Sequence, residues 1–468
     1  MMMPIGRDHL LYPQHKSTMK LSHIYLAGLL GIILTTSACD VFDATAETAI
    51  NPDQAFINES ASRSAVLGIY DAMQNEDYYG AYHQYTSDNY IDVSQFLGFF
   101  QGFQEPDLGA ISAFNDNVLS VWAQAYQAIN GANEAIDKIP DVDVVGFEED
   151  EKTELIAESR GLRGLAYLDL ITHFAEHWDM SSEFGLPLIA DANNGDLAQL
   201  ANPRRSTVGD SYNFILEDLM FAEANLPDVG DNTRMNKAAA QGLLARTYLH
   251  MGDYANAITW ATRAIDNANF ELLNNVVDIY AFDGTAESLL ELPASTLDPT
   301  SLSVFTISRD EVRPEESLIA SFLPGDQRRA LIAEVSGFVG ERFIKSEDVG
   351  NDANPGYVLR MAELYLIRAE AQFLDGNAAN DDQALADLNA VHTRAGLDPY
   401  EDSSDFVDKL LNEYLWEFFA EGQRFRSLVR LGQLEAVMGY ESFRRVYPIP
   451  QRELNIAGTN LVQNPGYQ

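Results

Sequence analysis

The residues best equipped for chemistry lie at 75–104, NEDYYGAYHQYTSDNYIDVSQFLGFFQGFQ. The run holds Tyr78, Tyr79, Tyr82, Tyr85, Tyr90, Phe96, Phe99, Phe100 and Phe103, interleaved with Asp88, Asn89, Asp92 and Gln101. Flat rings match the apolar C–H faces of sugars at low entropic cost, while nearby amides and carboxylates bond hydroxyls. The expected activity is ligand binding, with Tyr78, Tyr79, Tyr82, Asp88, Asn89, Tyr90, Phe99, Phe100 and Phe103 as contacts. For any one ring, packing of an irregular segment is the competing role. A second stretch, 278–343, contains Asp326-Gln327-Arg328-Arg329. Arg328 can grip a uronate or sulfate in bidentate fashion, or form an internal Asp–Arg pair that braces a loop.

Catalytic patterns are sparse. His173-Phe174-Ala175-Glu176-His177 matches H-x-x-E-H, in which two histidines on one helical face share a zinc ion and the glutamate acts as base. A helix C-terminus favours histidine for dipole reasons alone. No G-x-S-x-G elbow, phosphate loop or dinucleotide fingerprint occurs. Asp375-Gly376-Asn377 and 347–354 carry oxygen ligands of the calcium type, but neither has EF-hand spacing. No cofactor or metal is expected, and the chain reads as a non-enzyme. The alternative from another class is a secreted all-α glycoside hydrolase or zinc metallopeptidase.

The single cysteine, Cys39, excludes an intrachain disulfide and a multi-thiolate metal site. It follows the apolar run 24–36 and the small residues Ser37 and Ala38, with Lys20 and His23 ahead. That order is a secretory signal peptide, too short for a transmembrane helix. Cys39 resembles a lipobox cysteine, acylated at the mature N-terminus, although Thr36 stands where leucine is usual. Residues 1–38 are expected to be an extension and signal peptide, with Met1 or Met19 as the start, and 39–51 a tether. Net charge is −41, which makes nucleic acid an unlikely partner. Attachment to a membrane is expected through the lipid only.

These groups must be held by a scaffold, and helical periodicity dominates from about 53 to 290. In 237–266, Ala245 precedes Gly252 by seven residues, while Ala257 and Ala264 follow it, the small-residue pattern of a tetratricopeptide helix pair. Residues 362–397 repeat it with Ala369, Gly376 and Ala384, and 118–176 carry a weaker copy. The fold class is mostly α, about four helix pairs in a tetratricopeptide-like scaffold, with irregular segments at about 76–116 and 270–356. Short strands are expected at 301–307 and 337–345. Trp122, Trp260 and Trp416 fall inside predicted helices and read as core.

Several motifs in order resemble the SusD/RagB family: the leader ending in Cys39, 202–227 (NPRRSTVGDSYNFILEDLMFAEANLP), 369–376, 412–432 (NEYLWEFFAEGQRFRSLVRLG) and the ending 447–467 with its NPGY. The resemblance covers nearly all of the chain after Cys39. It implies one domain over 52–468 and a lipid-anchored, cell-surface-facing position at a bacterial outer membrane. It further implies an oligosaccharide (or peptide) ligand and a SusC-like TonB-dependent transporter as partner. Glu421 and Arg424 are expected to fix chain packing.

Overall fold

The computed structural model describes residues 55–190, 204–281, 284–295, 297, 299–337, 340–345, 354–456 and 459–467. All fall within one compact unit, Pro52–Gln468. Cys39, the leader and the tether lie outside the described residues.

Eight helices stack in chain order, each against the next. They are α1 (Glu59–Gln74), α4 (Asp116–Lys138), α5 (Glu149–Phe174), α6 (Val208–Asn225), α7 (Lys237–Met251), α8 (Tyr254–Ile265), α10 (Met361–Leu374) and α11 (Asp381–Arg394). The short α2 (Tyr82–Asn89) and α3 (Gln101–Asp107) interrupt the series after α1, and α9 (Glu316–Ser321) precedes α10. The helix starts are written in side chains: Asn58, Asn115, Thr207, Asn236 and Asp253 each accept a backbone N–H of the first turn. Ala245, Ala257, Ala264, Ala369 and Ala384 are all fully buried where paired helices approach. Gly252 ends α7 at φ 74°, a left-handed conformation that closes the tight turn into α8. Gly161 and Gly164 of α5 leave room for Met235 and Leu219. The four expected helix pairs are thus present.

Two later helices, α12 (Phe406–Phe418) and α13 (Arg424–Arg430), brace the scaffold through buried charge. Glu413, Glu417 and Glu421 recur every four residues. Arg328 donates to Glu413 at 2.7 Å, Arg360 and Arg394 to Glu417 at 2.9 and 2.7 Å, and Lys345 and Arg360 to Glu421, both at 2.9 Å. Burial would raise the pKa of Glu417, but Arg394, Arg360, Arg328 and Lys345 hold it far below the carboxylate range. Arg424 pairs with Asp92 at 3.0 Å. Glu421 and Arg424 therefore do fix packing.

The two family-like ends meet. Arg205 donates to the carbonyls of Gly185, Phe174 and Phe184 and, at 2.6 Å, to Asn464. Asn464 in turn donates to the carbonyls of Phe174 and Tyr447. This latch joins the C-terminal segment to the first repeats.

Among the described residues the strands form three two-stranded antiparallel sheets. They are β1 (Ser94–Phe96) with β3 (Val312–Pro314), β2 (Ser288–Leu292) with β6 (Gly356–Arg360), and β4 (Ile332–Glu334) with β5 (Glu341–Phe343). The expected strand at 301–307 is instead followed into a π-helical turn, Val304–Ser308. In 76–116 the expected irregular chain contains α2 and α3. Seven of the eight residues of α2 are buried and mostly polar, so no amphipathic stripe announces it. No described helix is long and apolar enough to cross a membrane.

Candidate functional site

The residues expected to bind ligand divide sharply by depth. Tyr78 and Tyr79 are buried and both donate to Asp169 at 2.7 Å. Asp88 and Asn89 lie inside α2, where Asp88 accepts Gly422 N–H at 3.3 Å and Asn89 accepts the Ser94 hydroxyl at 2.5 Å. Tyr90 donates to the Arg444 carbonyl and packs on Phe425 and Tyr440. Phe103 is enclosed by Tyr82, Phe96 and Phe305. Arg328 is fully buried, bidentate on Asp326 at 2.9 and 2.8 Å. Tyr78, Tyr79, Asp88, Asn89, Tyr90, Phe103 and Arg328 are therefore corrected to structural roles, because no solvent-borne ligand reaches them. Their rings and charges stabilise the junction between the irregular part and the repeats.

Tyr82, Phe99 and Phe100 remain at the surface. Phe99 is 95% exposed and Phe100 39%. The ring of Phe100 lies 6.2 Å from that of half-buried Tyr82, which touches Phe103 and Phe305 beneath. Leu97, Leu108 and Phe114 extend the apolar exposure along the same segment. Tyr82 and Phe100, with Phe99 next in the chain, make an exposed aromatic patch of the kind that marks a binding site.

The segment is pinned from below. Asp107 accepts Phe96 N–H at 2.7 Å, and Gln104 donates to the Gly98 carbonyl at 3.1 Å. Glu105 accepts the backbone and hydroxyl of Ser112 and the amides of Gln101 and Asn115. Burial would raise the pKa of Glu105, but these hydrogen bonds hold it below the usual glutamate value. A Cβ at Gly98 would overlap the Phe96 ring and Glu311. The outer rings are thus displayed on a fixed base, which lowers the entropy lost on binding.

Polar groups rim the rings. Glu76 is exposed and accepts the Ser301 hydroxyl. Burial and the Glu76 charge raise the Tyr82 pKa, so its hydroxyl stays protonated. Arg309 stands over Phe305 at 5.3 Å, its Nε 3.5 Å from Glu311. Sequence reasoning missed Glu76, Leu97, Phe305, Arg309 and Glu311. The last three lie more than 200 residues from the rings, and only the β1–β3 pairing, with Phe96 opposite Val312, brings them over.

The H-x-x-E-H segment does not form a helical metal face. α5 ends at Phe174, Glu176 accepts the Ser182 hydroxyl, and His177 turns into the core beside His250. Asp375 of the calcium-type loop is engaged by Asn377 and Asn380 of its own turn. Residues 347–353 lie outside the described residues.

Fold and site together define a tetratricopeptide-like helical-repeat protein that carries a rigid aromatic platform on its irregular part. Residues 43–249 match the family model described as "Starch-binding associating with outer membrane", and 323–445 match the SusD family model. The two matches lie in separate parts of the chain, and together they support a SusD-like family protein. It is 24% identical over 377 residues to a SusD-like protein of Bacteroides ovatus, covering 68% of this chain. It is 29% identical to the starch-binding protein SusD of Bacteroides thetaiotaomicron over 33% of this chain and 31% of that protein. The chain spans 66% of the length of the B. ovatus relative, and 51% and 46% of two SusD-like proteins of Formosa agariphila. A SusD superfamily crystal structure from Bacteroides vulgatus superposes with a TM-score of 0.77 at 27% identity, over 87% of this chain and 99% of that one.

Proposed function

We propose that this protein captures a carbohydrate at the bacterial outer membrane and holds it without chemical change for a SusC-like TonB-dependent transporter. The starch-binding, outer-membrane description of the matching family model supports the ligand class and the place. Acylation of Cys39 is the proposed anchor. It keeps the binding site near the membrane at high effective concentration.

One observation carries the reading: a phenylalanine ring 95% exposed beside a second exposed ring, on a segment held by Glu105, Gln104 and Asp107. Exposing such a ring is unfavourable in water, and a sugar face covers it. Tyr82, Glu76 and Gln101 supply hydroxyl partners at the rim. The decisive experiment is titration of the purified protein with a glycan panel, alongside Phe99→Ala and Phe100→Ala. Each substitution is expected to weaken binding by about tenfold, or ~1.4 kcal/mol. Unchanged affinity in both would remove the platform as the site. Product release from any glycan by the wild-type protein would replace binding with hydrolysis.

A further inference from the structure

The charge around the platform bears on which carbohydrates it accepts. Three guanidiniums lie beside the rings, on β3, on β5 and just after the Val304–Ser308 turn, and each is engaged by a carboxylate. Arg313 donates to Asp310 through Nε and Nη2 at 2.8 and 2.6 Å. Arg342, fully buried, pairs with the same Asp310. Arg309 lies over Phe305 with Glu311 at 3.5 Å. Arg328 sits in the core between Asp326 and Glu413.

Carboxylates, by contrast, surround the rings. Glu76 is exposed next to Tyr82, and Asp77 is half-buried beside it. Glu311 lies under Gly98, and Asp107 is bound to the backbone of Phe96. Burial raises the pKa of Asp107, and Phe96 N–H only partly offsets this. The whole chain adds a net charge of −41. An acidic sugar stacked on Phe99 and Phe100 would lose part of its hydration and meet like charge, with no unpaired guanidinium among those named to compensate. A neutral sugar meets none of this opposition, because carboxylates are good acceptors for its hydroxyls.

We infer that the platform selects uncharged oligosaccharides and rejects carboxylated and sulfated ones. The inference rests on the reading of the rings as a sugar-binding surface, and it assigns the class of sugar. It replaces the reading in which Arg328 grips a uronate or sulfate.

The test is a calorimetric titration of the full protein with neutral hexasaccharides (α-glucan, β-glucan, mannan and galactan). Each is paired with its C6-oxidised carboxylate and its sulfated form. Measurements are made at roughly 20 and 300 mM salt, where screening differs several-fold in range. At least one neutral glycan is expected to bind with salt-independent affinity. Its acidic counterparts should bind at least tenfold more weakly at low salt, and salt should narrow that gap. An acidic glycan that binds as tightly as its neutral partner overturns the inference, most clearly if salt weakens it and Arg309→Gln abolishes it. In that outcome Phe99→Ala still lowers affinity, so the ring reading survives alone. If Phe99→Ala and Phe100→Ala change nothing, or no glycan binds, the platform reading falls and the selectivity falls with it.

Discussion

Four buried histidines set the acid stability of the protein. His83, His173, His177 and His250 lie in the core near Arg246, Arg426 and Arg430. Burial lowers the pKa of His83 to about 4 and of His177 to about 3, with neighbouring arginines adding to the effect and Asp169 opposing it at His83. The unfolded chain, with histidines near 6.5, binds protons that the folded chain refuses. Stability is therefore complete above pH 6.5 and falls as pH drops toward 4, by about 3 kcal/mol for His83 alone. Thermal midpoints measured across pH 7 to 4 should decline, and His177→Phe should flatten part of that decline. A flat profile in the wild type would refute the assignment. Arg360→Ala should be far harsher at neutral pH, since it takes one buried cation away from Glu287, Glu417 and Glu421 together. The expected loss is about 3–5 kcal/mol, read by denaturant titration.

At the scale of elements, tight approaches decide what may change. Gly185 packs so closely on the 206–207 backbone that a Cβ there would strike the Thr207 carbonyl. Gly185→Ala should displace the strand-like contact that Arg205 threads, costing about 1–3 kcal/mol in the same titration. Glu105→Ala touches no ring, yet it frees Ser112, Asn115 and Gln101 together. It should lower glycan affinity several-fold with little loss of global stability, which separates positioning from contact. The helix pairs were legible beforehand because alanine and glycine spacing is a local signal: Ala245, Gly252 and Ala257 announced their turn. The platform was legible only in part. A tyrosine in 75–104 looks the same in sequence whether it stacks on a sugar or donates to Asp169, since Asp169 lies about 90 residues away in α5. Phe99 and Phe100 differ from Phe103 only by the turn of a seven-residue helix, and no periodicity in so short a helix fixes which face is outermost. Arg328 was legible in part: a pair with nearby Asp326 was one of its two readings, whereas Glu413 and Glu417 are contributed by distant α12.

For the whole molecule, charge is distributed by depth. Many of the described arginines are committed to buried carboxylates. Net charge of −41 favours solubility but adds self-repulsion to the folded state. Melting temperature should therefore rise between roughly 20 and 300 mM salt as the Debye length shrinks to a few ångströms. A melting temperature that falls instead would show that exposed ion pairs outweigh repulsion.

The latch between Arg205 and Asn464 has a consequence for how the chain is made. Asn464 follows Arg205 by 259 residues, so the first repeats remain unsealed until that whole stretch has been synthesised. Until then the Phe174 and Tyr447 carbonyls and the Arg205 guanidinium all lack the Asn464 amide, so a late step of folding closes the scaffold.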